Sequence, residues 1–561
     1  MYNKWFKFFV FFVALALLST ACKKEEVRSG NLFGNEEEIP NLQNGMMRSS
    51  SPDFSVTSDG AIVLGDTISD PYRLENMKKA YRNISDGNAP ISDVKANHRY
   101  VRVLPADRDE LNAIEADTNL LLFEYPLHYE IAVQGTYYHD PTVSDSTLTW
   151  LYGVVPMNYQ FPVGTNEELI YYVYIPPTES KGDFYDKLEE EAYRVVGYED
   201  EDGGAKANNA SWIPSAYIKA WDDIADCQIP LEGVKVVANY VTKIGRGVTK
   251  ANGKCEVDKN FTHKVHYRIV WESGFWDIRS GAIGQAYYNG PTQKYGWDLE
   301  IAKNGKSILY ATVHRAAQKF YYGERLGLRR PNLSYGKTKI AVYDNNPSWG
   351  SGCCWGTWSL LGVIPDIVVA RIHEAYTSFT YSTTIHELAH QSHLLFVGKG
   401  TYVQIAKEIH ESWARAVECA LTNHHYNVEL ADYGERCEKF NHALSSQKWY
   451  PENLGEGKTS CYTPIFWDLI DDFNQRNGGN GGFCPALSSL TLDYEFEGSG
   501  LYPNDVVSGY TIGFIQNNIM SNAYGLSSLS SSLKAHKISG VTNQMIDNHM
   551  APYWNRNYKR P

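Results

Sequence analysis

Three absences bound what this 561-residue chain can be. It has no cluster of basic residues, and 65 acidic against 52 basic side chains leave a net charge of −13. A polyanion is held by a positive stripe that displaces its counterions, so nucleic acid is not an expected partner. None of the nine cysteines forms a CxxC pair, which argues against a cysteine-ligated zinc site. Beyond the first twenty residues no apolar run is long enough to cross a bilayer.

The N-terminus does carry an apolar run. Lys4 and Lys7 precede Phe8 to Leu18, and Ser19-Thr20-Ala21-Cys22 follows. A basic start, a run too short to span and small residues at its end make a secretory signal. The Cys directly after Ala21 resembles a bacterial lipoprotein signal, of the relaxed kind found in Bacteroidetes surface lipoproteins. Ser19 stands where such signals usually carry Leu, with Leu18 one place earlier, and Lys24-Glu25-Glu26 resembles their surface-export signal. The resemblance implies that Cys22 becomes a lipidated N-terminus and that the protein is held to the outer membrane through that lipid, at the cell surface. Residues 1–22 are then signal and anchor, and the polar stretch 23–55 a flexible tether. Eight cysteines remain, an even number that permits disulfides in an exported protein without revealing connectivity. For the adjacent Cys353 and Cys354, a vicinal bridge, free thiols and separate pairings all stay open.

The remaining length leaves room for several domains, and the patterning predicts a multidomain α+β protein. Residues 56–226 read as an N-terminal α+β domain. Asp70-Pro71 predicts a helix to about Arg82, and helical 107–115 lies between strand-like runs at 100–103 and 120–123, with another at 169–175. Residues 228–275 alternate in hydropathy around an Asn252-Gly253 turn. That stretch resembles the transthyretin-type, carboxypeptidase-regulatory-like β-sandwich, a module that implies a spacer. Residues 276–561 read as a third domain, with a helix at 307–322 stopped by Gly323 and strands at 339–343 and 366–370. Helices are predicted at 462–473 and 507–520, giving a mostly helical C-terminal half. Between the two strands, Trp349, Trp355 and Trp358 lie in a Gly-rich loop.

One stretch organises that last domain: His386-Glu387-Leu388-Ala389-His390. Ile385, Leu388, Ala389 and Leu395 recur at helical spacing, and histidines four apart sit one above the other on one helix face. Two neutral imidazoles so placed can share one Zn²⁺ ion, and Glu387 beside them could take a proton from an attacking water. His393 is seven residues from His386, about 10 Å along the axis, too far for all three rings to share one ion. It reads as a packed residue or a partner of the ligands. The third ligand is expected from a second helix over 402–423, whose apolar stripe is Ile405, Ile409, Trp413, Val417 and Ala420. That helix carries Glu408, Glu411 and Glu418.

HExxH with Glu411 twenty-one residues after His390, in the context His410-Glu411-Ser412-Trp413-Ala414, resembles the gluzincin metallopeptidases, the thermolysin-like clan. The likeness covers about residues 376–425. It implies a zincin-like catalytic domain, His386, His390 and Glu411 as ligands of Zn²⁺, Glu387 as general base, and hydrolysis of extracellular proteins or glycoproteins. Arg415 stands where relatives of thermolysin carry an Asp, so the partner of a ligand histidine is left open. Glu408 and Glu418 are rival ligands, read as surface carboxylates. The metzincin pattern does not fit, because His393 and Phe396 occupy the places of its Gly and third His. A strand just before the zinc helix, as at 366–370, implies an edge to which extended substrate could add. His424, His425, Tyr426, Tyr433, Tyr462 and Tyr510 are candidates to stabilise an oxyanion. The alternative from another class is a non-catalytic surface binding or adhesion lipoprotein on a zincin scaffold, which the complete motif with Glu387 disfavours.

Overall fold

The computed structural model describes residues 60–87, 89–144, 147–177, 183–198, 211–281, 284–331, 336–344, 352–353, 365–370, 376–442, 463–472 and 507–554. Cys22, the tether, Cys461, Cys484, the three tryptophans of the Gly-rich loop and the loop at 477–482 lie outside them. The fold is mixed α+β, and its C-terminal half is mostly helical. Among the described residues no helix is long and apolar enough to cross a membrane.

The first region holds β1 (Val63–Thr67), α1 (Leu74–Ile84), β2 (His98–Leu104), α2 (Arg108–Glu115), β3 (Leu122–Phe123), β4 (Tyr129–Val133), β5 (Leu151–Pro156), β6 (Asn166–Val173) and α3 (Asp183–Val195). β1 pairs with β4, and the other strands form an antiparallel sheet in the order β3-β5-β2-β6. Asp107 caps α2 by accepting the Glu110 N–H at 2.9 Å, as its short carboxylate suits. The helix expected from Asp70-Pro71 starts later, at Leu74. Asp70 does not cap it. Its carboxylate accepts from the Tyr72 N–H at 3.0 Å and from the hydroxyls of Thr242 and Tyr171 at 2.6 and 3.1 Å.

Next come β7 (Ser215–Asp222), β8 (Cys227–Pro230), β9 (Lys235–Tyr240), β10 (Lys243–Val248), β11 (Lys254–Glu256), β12 (Val265–Val270), β13 (Trp276–Ser280), β14 (Gly284–Gln285), β15 (Tyr287–Gln293) and β16 (Trp297–Ile301). Two sheets, β10-β9-β12-β15 and β11-β7-β16 with β8 on β7, share one apolar core that includes Ile218, Val236, Tyr267 and Trp297. β9 is buried along its middle because its other face, at Val237, packs on the N-terminal sheet. The Asn252-Gly253 turn is formed. Gly253 has φ +74°, and a Cβ there would lie 2.6 Å from the Ile218 carbonyl. Pairing runs past both expected limits of this region, because β7 lies before residue 228 and β15 and β16 lie after 275. β16 joins β7 in parallel, and that register brings together residues some eighty positions apart.

Then follow α4 (Lys306–Tyr322), β17 (Thr338–Tyr343), β18 (Gly352–Cys353), β19 (Ile367–Ala370), α5 (Thr377–Val397), α6 (Lys399–Tyr402), α7 (Lys407–His424), α8 (Glu435–Glu438), α9 (Ile512–Phe514), α10 (Leu526–Ala535) and α11 (Asn543–Trp554). β13, β17 and β19 are parallel and buried, with β14 and β18 antiparallel at the two edges. β19 is therefore an inner strand. The outer position beside it belongs to β18, which pairs Gly352 with Val368 and Cys353 with Ile367. α5 packs on β19, α4 and α7.

One of the two remaining expected helices is replaced by turns, and the other starts late and changes its winding. Residues 463–472 form turns in which Ile465, Phe466, Trp467 and Leu469 are all buried, so no solvated face exists to complete an amphipathic helix. Over 507–520, Gly509 at φ +86° prevents an early start, and Thr511 caps only α9. The side chains of Asn517 and Asn518 bond back to the Gly513 and Phe514 carbonyls at 2.7 and 3.0 Å, and the chain widens to a π-turn at Ile515–Ile519.

Candidate metal centre

The helix bearing the motif is anchored from outside itself. Tyr376 supplies no side-chain cap to α5. Asp223, just after β7, accepts instead from the Thr377 hydroxyl at 2.6 Å, the Ser378 N–H at 2.8 Å and the Ser378 hydroxyl at 2.8 Å. Its negative charge lies at the positive end of the helix. At the other end Gly398, φ +82°, stops α5 and donates its N–H to the Leu394 carbonyl at 2.8 Å. The second helix is shorter than expected. The chain turns through α6, and only from Lys407 does α7 run on.

The crossing of α5 and α7 brings the three expected ligands together. His386 Nε2 and His390 Nε2 lie 3.1 Å apart. Glu411 Oε2 is 3.3 Å from His390 Nε2 and 3.6 Å from His386 Nε2. All three side chains are buried, and among the described residues theirs is the one group of this kind that could hold a metal ion. A tetrahedral centre with bonds of about 2.0–2.1 Å would place its ligand atoms about 3.3 Å apart. The three separations bracket that value, so two imidazole nitrogens and a carboxylate oxygen fit zinc in both donor chemistry and spacing. Glu387 is buried beside His386 on the same helix.

The electrostatics favour positive charge in the same gap. Burial pushes the His386 imidazolium pKa down, but the facing carboxylates of Glu411 and Glu418 outweigh it and bring it up to about 9. Burial pushes Glu411 up, and the His390 and His386 rings overcome it and hold the carboxyl well below the ordinary range.

Glu418 corrects the sequence reading. It is fully buried, not a surface carboxylate. Two turns beyond Glu411 on the same helix face, its Oε2 accepts from His386 Nδ1 at 3.0 Å and pairs with Arg415 Nη1 at 2.8 Å. Its Oε1 accepts from His442 Nε2 at 2.7 Å. The partner that Arg415 left in doubt is thus supplied by Glu418, with Arg415 as counter-ion. With Nδ1 held by Glu418, Nε2 is the His386 nitrogen that faces the gap, and its lone pair is the one a metal would take. The Tyr402 hydroxyl lies 3.0 Å from His390 Nδ1 and 3.0 Å from His410 Nδ1, a pair of contacts that sequence reasoning missed. Glu408 is half-buried in the first turn of α7, outside the ligand group.

His393 is packed edge-on against Tyr402, ring centroids 5.2 Å apart, and among the described residues neither of its nitrogens has a hydrogen-bond partner. Burial lowers its pKa to about 3, so the ring is neutral. The oxyanion candidates are largely committed elsewhere. Tyr426 donates to Asp222 at 2.9 Å, His425 donates to Glu429 at 2.8 Å and stacks on Tyr381, and His424 faces Lys319 at 2.9 Å. Tyr510 packs on Phe514, Tyr433 is partly exposed, and Tyr462 lies outside the described residues. Compared with family models, curated proteins and solved structures, the chain finds no match.

Proposed function

We propose that this chain is a zinc-dependent metallopeptidase of the gluzincin type, held at the bacterial outer surface by a lipid on Cys22. Its substrates would be extracellular proteins or glycoproteins. The observation that carries the reading is the convergence of His386 Nε2, His390 Nε2 and Glu411 Oε2 in one buried gap beside Glu387. On this reading the sheets β10-β9-β12-β15 and β11-β7-β16 are the carboxypeptidase-regulatory-like spacer, and the parallel strands β13, β17 and β19 with the helices from α4 onward are the zincin-like catalytic unit.

His386, His390 and Glu411 would hold the ion. Bound Zn²⁺ supplies Lewis acidity, polarising a scissile carbonyl and making water a nucleophile near neutral pH. Glu387 takes the proton of the attacking water and passes it to the leaving amine. Glu418 keeps the His386 ring in the tautomer and orientation that binding needs.

The test separates binding from chemistry. Glu387→Gln should keep its zinc and lose chelator-sensitive cleavage of a peptide library. Normal cleavage by this variant would refute the role of Glu387. Ligand binding that ignores chelators, in a chain that cleaves nothing, would favour the adhesion alternative.

A further inference from the structure

Resting on that reading of the site, we propose that Tyr402 and His410 are positioning residues for His390. The Tyr402 hydroxyl receives the Nδ1 proton of His390 and gives its own proton to Nδ1 of His410.

The direction follows from counting protons. A tyrosine hydroxyl has one proton to give and lone pairs to receive with. Here it stands between two imidazole nitrogens, both Nδ1, at 3.0 Å each. At most one of these nitrogens can accept, because the hydroxyl has one proton to give, and the relay assigns that place to His410. If Tyr402 donated to His390, the His390 proton would sit on Nε2, pointed at His386 Nε2 only 3.1 Å away and filling the gap. If it donates to His410, His390 Nε2 is a bare acceptor facing Glu411 Oε2 and His386 Nε2. Only the second arrangement presents both Nε2 lone pairs to one ion. His410 then carries its proton on Nε2.

The backbone is built to place this relay. Gly398 ends α5 in a conformation that side chains avoid, and the Tyr402 N–H returns to the Gly398 carbonyl at 2.9 Å. This brings a ring that is 1% exposed back beneath the last turns of α5. His410 immediately precedes Glu411. The relay therefore joins the end of the helix that carries two ligands to the start of the helix that carries the third. The two histidines are held differently: His386 by a carboxylate with its own counter-ion, His390 by a neutral hydroxyl and a neutral imidazole.

The experiment is a zinc titration of the full chain against a chromophoric chelator, with Tyr402→Phe, His410→Ala, His410→Gln and the double variant Tyr402→Phe/His410→Ala. Tyr402→Phe keeps the ring contacts with His393 and His410 and removes only the hydroxyl. It should weaken zinc binding about 10–100-fold, the range for partners of a ligand histidine. His410→Ala should weaken it less, and His410→Gln, which keeps an acceptor, should restore most of the loss. In the Tyr402→Phe background His410→Ala should add nothing, because the chain is already cut. Parent-like affinity in Tyr402→Phe, or additive losses in the double variant, would overturn the relay while leaving the metal reading intact. If Tyr402→Phe does not fold, equal losses in His410→Ala and His410→Gln would overturn it. A parent chain that takes up no zinc would overturn both.

Discussion

Glu418→Gln replaces a carboxylate by an amide of the same size at a site with 0% exposure. The amide oxygen can still accept from His386 Nδ1, but the amide NH₂ takes the place of the oxygen that accepts from His442 Nε2, so the variant removes the charge and that one acceptor. Two consequences follow, with different magnitudes. His386 loses the anionic partner that orients it and raises its basicity, which should weaken zinc binding by about 10–100-fold, or about 1.4–2.8 kcal/mol. Arg415, 2.8 Å from the lost charge and with a side chain only 12% exposed, is left without its counter-ion. Removing one partner of such a buried pair costs about 3 kcal/mol of folding stability. Chelator competition reads the first effect and urea unfolding the second, with Glu408→Gln as a control expected to change zinc affinity by less than about twofold. An unchanged zinc affinity in Glu418→Gln would refute the argument that Glu418 orients a ligand. If stability alone fell, Glu418 would be a structural counter-ion to Arg415 and no more.

Asp223→Ala should destabilise the fold by about 1–2 kcal/mol, since it strips the start of α5 of its external cap; an unfolding midpoint equal to the parent's would contradict that role. Acid should weaken the fold through its buried histidines. His549 is fully buried with Nε2 3.0 Å from the Ile465 carbonyl, and burial lowers its pKa to about 4 against 6.5 for a free histidine. Between those values the unfolded chain binds the proton and the folded one does not. The stabilisation is therefore present above pH 6.5 and lost as pH falls towards 4. His549→Gln should make stability less steep in that window by about one proton, and an identical slope in both proteins would show that His549 does not titrate there.

The part of the site set by one helix was legible in the sequence. His386 and His390 stack because helical geometry alone requires it, and the apolar stripe announces α7, while the choice of Glu411 among its three carboxylates rests on the gluzincin resemblance. Glu418 could not be read correctly. Its place on the Glu411 face is visible in the spacing, but its burial depends on how α5 crosses α7. The apolar stripe makes Tyr402 the first residue of a long helix, whereas Gly398 forces a separate turn that swings it under His390. In the fold, strands with alternating or buried runs were found within a few residues. The reach of the two shared-core sheets was not, because β7 and β16 meet through a parallel register between distant segments. β18 is two residues long, too short to show any period, and so the inner strand β19 was mistaken for the edge.

The most direct measurement is zinc per chain after reconstitution and desalting, for the parent and for Glu411→Ala. One zinc in the parent and markedly less in the variant is the expected result. No zinc in the parent, or a full complement in Glu411→Ala, would contradict a centre built from His386, His390 and Glu411.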